Sequence, residues 1–437
     1  MTTSLPSAQK SAFDIHHPPS QEIIDKCVHC GFCLAVCPTY ALWHEEMDSP
    51  RGRILLMKVA AAGEAQMTPQ WVQHFDTCLG CMACMPACPS GVDYGKLIEA
   101  TRAQIARRHP RSLFERLHRR LLFALFPHPN RLRLLRWPLL AYQKSGLQFL
   151  VRKAGLLRLV PQKLRALDTL LPALGARQPI PEITPAVGEK RLRVGLLLGC
   201  VQREFLPQMN AATVRVLSAE GCEVVAPQEP PCCGALMVHA GEEQGAVALA
   251  RKTIDIFERA AVDVIVTNAA GCGSHVKEYA HLLRDEPVYA ERARLFSAKC
   301  KDVTEVLADL PPRARRNPVP ARVAFHDSCH LNHAQGVHAQ PRRLLRSIPA
   351  LELVDIPENA ICCGSAGIYN LVQPDAANAL GERKAQLIED LEADVVATGN
   401  PGCLLQLQAS LVRNGLKIQV VHTIQILDAA IRGEQLR

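Results

Sequence analysis

Eight cysteines in two matching runs carry the first legible chemistry. Cys27, Cys30, Cys33 and Cys37, followed by Pro38, stand at C-x2-C-x2-C-x3-C-P spacing, and Cys78, Cys81, Cys84 and Cys88, followed by Pro89, repeat it. This spacing holds [4Fe-4S] clusters, three thiolates of a run wrapping one cube and the fourth reaching the other. Two residues between ligands let the backbone curl around a cube with its N–H groups aimed at the sulfurs. The longer gap turns the last thiolate away, and proline ends the turn. The expected ligand sets are Cys27, Cys30, Cys33 and Cys88 for one cluster, and Cys78, Cys81, Cys84 and Cys37 for the other. A pair of zinc sites competes, because C-x2-C also serves zinc, but zinc ligands normally come as two separated pairs.

A second group of cysteines lies in a repeat that begins at Arg191. Val194-Gly195-Leu196-Leu197-Leu198-Gly199-Cys200 matches Val323-Ala324-Phe325-His326-Asp327-Ser328-Cys329. Pro231-Cys232-Cys233-Gly234 matches Ile361-Cys362-Cys363-Gly364, and Cys272 matches Cys403, at offsets of 129 to 131 residues. One unit is used twice. Each half therefore offers four thiols, Cys200, Cys232, Cys233 and Cys272, then Cys329, Cys362, Cys363 and Cys403, as further metal or cluster ligands or as structural thiols. Glycine after the cysteine pair permits the tight backbone that turns both sulfurs toward one centre. Cys222 and Cys300 fall outside the pattern and read as core. His326 and His330 flank Cys329, as donors to a sulfur or as packing groups.

The elements that must position these residues can be placed coarsely. After a flexible lead over residues 1–19, a helix starts near Ser20 and delivers Cys27. Asp48-Ser49-Pro50-Arg51-Gly52-Arg53 is a turn with a helix start, Ile54 to Ala62 spaces the runs apart, and Tyr94 to Arg107 is helical. Residues 20–107 thus form an α-helical, ferredoxin-like domain for two clusters. In the repeat units, 191–312 and 320–437, apolar strands (Leu192 to Leu198, Val262 to Thr267, Arg322 to Phe325, Asp394 to Ala397) alternate with helices such as Glu242 to Ala260 and Pro374 to Leu391. That order predicts a duplicated α/β unit with a parallel sheet, its cysteines at strand ends.

Residues 108–190 are a basic amphipathic segment and a linker. Sixteen Lys and Arg lie between Arg102 and Arg165 with a single acid, Glu115, so the net charge of +8 belongs to this stretch. Leu113, Leu117, Leu121 and Leu122 mark an apolar helical face, and prolines at 127, 129, 138 and 161 are expected to break it into short helices. Such a segment suits a membrane surface or a partner subunit. No recognition motif for nucleic acid accompanies the arginines. Ala173 to Glu189, rich in proline, reads as linker.

A length of 437 residues allows two to four domains, and 48% hydrophobic with 21% charged residues is globular. Eighteen cysteines in a chain this large, with no basic-then-apolar leader over Met1 to Gln21, point to metal ligation in a reducing compartment. No run is long and apolar enough to span a bilayer. A G-x-G-x-x-G after a strand is absent, so flavin or NAD binding in the Rossmann manner is not expected, and no paired acid/base constellation appears. Substrate chemistry is expected on a partner, with no catalytic residue here.

Cys27-Val28-His29-Cys30-Gly31-Phe32-Cys33, Pro50-Arg51-Gly52-Arg53, Gly271-Cys272-Gly273 with Val276-Lys277-Glu278-Tyr279, and Cys362-Cys363-Gly364-Ser365-Ala366-Gly367 resemble the iron–sulfur subunit of bacterial glycolate oxidase (glycolate dehydrogenase) along nearly the whole chain. The resemblance implies an electron-transfer subunit with two [4Fe-4S] clusters. It would receive electrons from FAD-binding partner subunits and pass them to the quinone pool from the cytoplasmic face of the inner membrane. Subunits acting on lactate or glycerol-3-phosphate, including the Cys-Cys-Gly subunit of anaerobic glycerol-3-phosphate dehydrogenase, are the alternatives. The Cys-Cys-Gly halves also resemble those of heterodisulfide reductase, whose sets have five cysteines. Here the fifth position falls at Ala269 and Asn400, which leaves four-thiolate sites or none, and a thiol–disulfide enzyme working at the Cys-Cys-Gly sites is a rival reading.

Overall fold

The computed structural model describes residues 11–229 and 232–436. The first ten residues of the expected lead, and Pro231 of the first Cys-Cys-Gly turn, lie outside these.

The part that carries the two cysteine runs is helical because each helix has its own start signal. Ser20 caps Gln21–Asp25, Ser49 caps Pro50–Ala61 and Thr68 caps Pro69–Asp76, each side-chain oxygen accepting a first-turn N–H, with proline opening the last two helices. The Pro50–Ala61 helix therefore begins four residues before the expected Ile54. Asp93 caps Tyr94–Arg108, and Met57, Phe75, Leu97 and Ile98 meet in one buried core. The described end of the lead is not flexible. Ala12 and Phe13 are buried in that core, Phe13 lies 6.1 Å from the Trp71 ring, and Asp14 binds Gln104 and Arg107. A few well-placed contacts order it without any periodic pattern.

The basic segment folds as helices Leu113–Leu125, Pro129–Lys144, Leu147–Lys153 and Gln162–Thr169. Pro138 does not break its helix, contrary to expectation. The carbonyl it leaves unpaired belongs to exposed Leu134, where water can satisfy it. The linker is not wholly irregular either. Its strand β1 (Ile183–Thr184) pairs antiparallel with β3 (Cys222–Val225).

Two sheets follow. The first runs β1-β3-β2-β4-β5, with β2 Leu192–Leu196, β4 Val264–Thr267 and β5 Cys300–Asp302, and apart from β1 it is parallel. The second, β7-β6-β8-β9, is parallel throughout, with β6 Ala321–His326, β7 Leu351–Asp355, β8 Val395–Thr398 and β9 Gln419–His422. Apart from β1, which has no counterpart, the strand orders correspond one to one. In each sheet the first strand of the unit is central and chain direction switches sides across it, which opens a crevice at the carboxyl ends of β2 and β4, or of β6 and β8.

The two units share a core. Val194, Leu196 and Val216 pack in one cluster with Val323, Phe325 and Leu427. Helix Pro207–Ala219 of the first unit lies on Thr423–Arg432 of the second, and Ala339–Arg346 of the second on Val303–Asp309 of the first. These contacts are exchanged copies of one another. Arg215 and Asp428 close one of them with a bidentate pair at 2.5 to 3.2 Å.

Candidate functional site

The two cysteine loops are held by the two arginines of Pro50-Arg51-Gly52-Arg53, one for each loop. Arg51 forks onto the Glu46 carboxylate at 2.6 and 3.1 Å and donates to the His29 carbonyl in the first loop at 3.1 Å. Gly52 has to be glycine, since a Cβ there would lie 2.0 Å from the Glu46 carbonyl oxygen. Arg53 is 1% exposed. It donates to the carbonyls of Asp48 and His74, the hydroxyls of Thr39 and Thr77, and the Asp48 carboxylate, all within 3.2 Å. The guanidinium is thus fully partnered beside Cys78.

Cys84 is pushed well up by burial and then by the neighbouring thiols of Cys81, Cys78, Cys37 and Cys33, and Cys33 in turn feels Cys27 and Cys37, so Cys37 lies between the two runs. Thr39 Oγ1 lies 3.3 Å from Cys37 Sγ and Tyr94 Oη 3.7 Å from Cys78 Sγ. Burial opposes ionisation of Cys78, but the charges of Arg53 and Arg102 outweigh it and hold the thiol below its ordinary value. In the first loop Cys30 is exposed, Cys27 and Cys33 are half-buried, and burial lifts Cys33 to about 11. Cys88 sits half-buried against the same core. The donors are all sulfur and free of disulfides among the described residues, a set suited to iron–sulfur clusters.

Both repeats gather their four cysteines at the crevice. Cys200 and Cys272 follow β2 and β4, and Cys329 and Cys403 follow β6 and β8, while the adjacent pairs arrive from the loops after β3 and β7. The thiols influence one another's ionisation in a chain, Cys200 with Cys232, Cys232 with Cys233 and Cys233 with Cys272. The same chain runs from Cys329 through Cys362 and Cys363 to Cys403. Gly234 and Gly364 have φ of +94° and +91°, and Gly234 N donates to Cys232 Sγ at 3.4 Å. At Gly364 a Cβ would meet the Ala377 carbonyl at 2.6 Å. Cys222 and Cys300 are buried in the cores, apart from both sets.

The second loop and the second repeat form one body. Leu79, Cys81 and Ala83 share a buried cluster with Cys329, Ile361, Cys362 and Tyr369. On the other side Arg102 binds the carbonyls of Phe75 and Cys78 and reaches the first repeat at the His239 carbonyl, 2.9 Å away.

Sequence reasoning quoted Arg51 and Arg53 without giving them a role and did not single out Arg102. A usable signal was present for two of them, since arginines on either side of a glycine at a helix start can face separate loops. Arg102 carries no such mark within its helix.

Among known families, a 4Fe-4S dicluster domain matches residues 23–92, and a cysteine-rich domain matches 194–277 and again 323–408. The linker region of glycolate oxidase iron–sulfur subunits matches residues 114–171, the basic segment. The probable glycolate oxidase iron–sulfur subunit of Bacillus subtilis is 40% identical over 410 residues, 92% of each chain. The glycolate oxidase iron–sulfur subunit of Escherichia coli is 35% identical over 418 residues, 95% of this chain and 96% of that one. Lactate utilization protein A of Exiguobacterium is 29% identical over 55% of this chain and 98% of its own. Iron–sulfur clusters are the cofactors these domains hold, and the chain belongs to the family of glycolate oxidase iron–sulfur subunits.

Proposed function

We propose that this chain is the electron-transfer subunit of a complex that oxidises glycolate to glyoxylate, accepting electrons from an FAD-bearing partner and delivering them to the respiratory chain at the cytoplasmic face of the inner membrane. In this reading a ferredoxin-like part, residues 20–107, precedes a duplicated α/β unit, 191–312 and 320–437. Cys27, Cys30, Cys33 and Cys88 hold one [4Fe-4S] cluster, and Cys78, Cys81, Cys84 and Cys37 the other. The two Cys-Cys-Gly sets hold further clusters. A [4Fe-4S] cluster takes and gives one electron at a time, which divides the two-electron oxidation of a 2-hydroxy acid.

The observation that carries the proposal is the joint burial of Cys81 with Cys329 and Cys362, which places the second loop directly on the second repeat. The first loop faces outward, and Val28 and Phe32 beside exposed Cys30 are each about two-thirds exposed. That apolar rim suits a docked flavoprotein. Arg53 and Arg102 supply the positive charge that favours the ionised form of Cys78 in a dry setting.

Leu113, Phe114, Leu117, Leu121, Leu134 and Trp137 are exposed on basic helices, the composition of an element lying on an anionic membrane. No helix among the described residues is long and apolar enough to cross a membrane. A cleft of about 720 Å³ runs from Phe114 and Arg119 on these helices to Cys78, with Ile368 and Tyr369 on its far wall. It has the volume of a small-molecule site and opens beside the apolar helices, so a quinone would enter here.

The anaerobic complex with its flavoprotein, mixed with glycolate, should show EPR signals of reduced clusters. Phe32→Asp should slow their reduction at unchanged iron content, and Ile368→Trp should slow quinone reduction alone. Leu117→Glu with Trp137→Glu should release the protein from anionic vesicles. Reduction by lactate and not glycolate would install the second reading, a lactate-oxidising complex, which the likeness to Lactate utilization protein A favours. Disulfide turnover abolished by Cys363→Ser would replace both.

A further inference from the structure

The two repeats are not chemically equivalent at their crevices. The last residue of β6 is His326, 1% exposed, and at the matching position after β2 stands Leu197, buried in an apolar cluster. A ring nitrogen of His326 and the sulfurs of Cys363 and Cys403 all lie within 4.8 Å of one another, and all three residues are buried. The Nδ1 of His326 is buried without a hydrogen-bond partner. A buried ring nitrogen without a partner is costly unless something outside the protein's own hydrogen bonds occupies it.

The position where a fifth cysteine would stand is Asn400. Its Nδ2 donates to Cys403 Sγ at 3.3 Å, and its Oδ1 accepts from Gly271 N at 3.4 Å. Asn400 therefore orients Cys403 and links the two repeats, with its amide already committed. In the first repeat the same position is Ala269, buried and without any donor atom. Among the described residues no histidine nitrogen is grouped with the thiols there.

We propose that His326 is a ligand of the iron–sulfur centre in the second repeat, giving a mixed site of Cys329, Cys362, Cys363, Cys403 and one imidazole, while the first repeat offers thiols only. This rests on the reading that the second Cys-Cys-Gly set is occupied. The imidazole adds a neutral donor to a set with the same four thiolates as the first repeat, so the two repeat sites differ in ligand number and not in thiolate charge. His330 differs in role, since its Nδ1 lies 3.5 Å from Cys329 Sγ and contacts the sulfur.

The test uses the full chain, purified anaerobically, with histidine labelled by 15N in the imidazole. Iron and sulfide analysis of Cys363→Ser comes first, and unchanged iron overturns the occupancy on which the proposal stands. With iron lost in Cys363→Ser, pulsed EPR of the redox-poised wild type should show a strong isotope-sensitive nitrogen coupling. His326→Leu, which copies the first repeat, should lose that coupling and shift one midpoint potential, while His330→Gln keeps both. If His326→Leu fails to accumulate, His326→Cys should retain iron without the coupling. A wild type lacking the coupling, or a coupling that survives in either His326 variant, overturns the ligand assignment.

Discussion

The Tyr369 hydroxyl donates a 3.0 Å hydrogen bond to the carbonyl of Thr77, the residue that leads into the second cysteine loop. By the repeat offset Tyr369 corresponds to His239, whose carbonyl accepts from Arg102, the side chain that also binds the Cys78 carbonyl of that loop. Both repeats thus grip one loop from equivalent positions. Tyr369→Phe should cost about 1 kcal/mol in urea unfolding and leave iron content unchanged. A loss of iron would show that this bond holds the loop rather than docks it.

Arg53 is a stronger case, because its removal leaves Asp48 buried without its main partner. Arg53→Leu should destabilise the protein by about 3–5 kcal/mol. Iron should fall by the share of the second loop. Arg53→Lys cannot reproduce five donors in a plane and should recover only part of the loss. Denaturation and iron analysis of both variants check the order.

Acid should weaken the fold through buried neutral histidines. Burial pushes His275 down to about 4. Its ordinary value is 6.5. The unfolded chain therefore binds a proton more readily across that interval, so the stabilisation is complete above pH 6.5 and is lost as pH falls toward 4. The loss from this residue is about 3 kcal/mol. Gln406 occupies the matching position in the second repeat, so His275→Gln is a tolerable replacement. The variant should show a shallower fall of thermal midpoint between pH 6.5 and 4, and an unchanged slope would exclude His275 as a contributor.

At the contact between repeats, Asp428 is buried and Arg215 is partly exposed. The two halves of this pair are unequal. Arg215→Ala should cost about 1–2 kcal/mol because it strands a buried carboxylate, softened by Arg432 at 3.7 Å. Asp428→Asn should cost less, since water can reach the guanidinium it leaves behind. Equal costs in thermal unfolding would contradict the asymmetry.

Legibility followed the range of the forces involved. Cysteine spacing is a local constraint, so both runs and the repeat could be read directly. Strands β2, β4, β6 and β8 announced themselves as buried apolar runs. Strands β3, β5, β7 and β9 did not, because they are short and carry residues such as Glu223, Lys301, Glu352 and Gln419. Their pairing comes from neighbours, not from pattern. The ordering of Phe13, the continuity of the helix through Pro138, and the reach of Arg102 to both Cys78 and His239 all depend on partners far away in the chain. The meeting of His326 with Cys403 was likewise hidden, although the mismatch with Leu197 was visible.

The two cysteine loops share one spacing and are housed differently, the first at the surface with Cys30 exposed and the second closed in by a repeat. Oxidants dissolved in water meet the first loop before any other thiol set, since thiol oxidation follows exposure. The first loop then behaves as a fuse. In the proposed reading air would disconnect the chain from its donor while the interior thiols stay intact, and reloading one cluster would restore the circuit without refolding the rest.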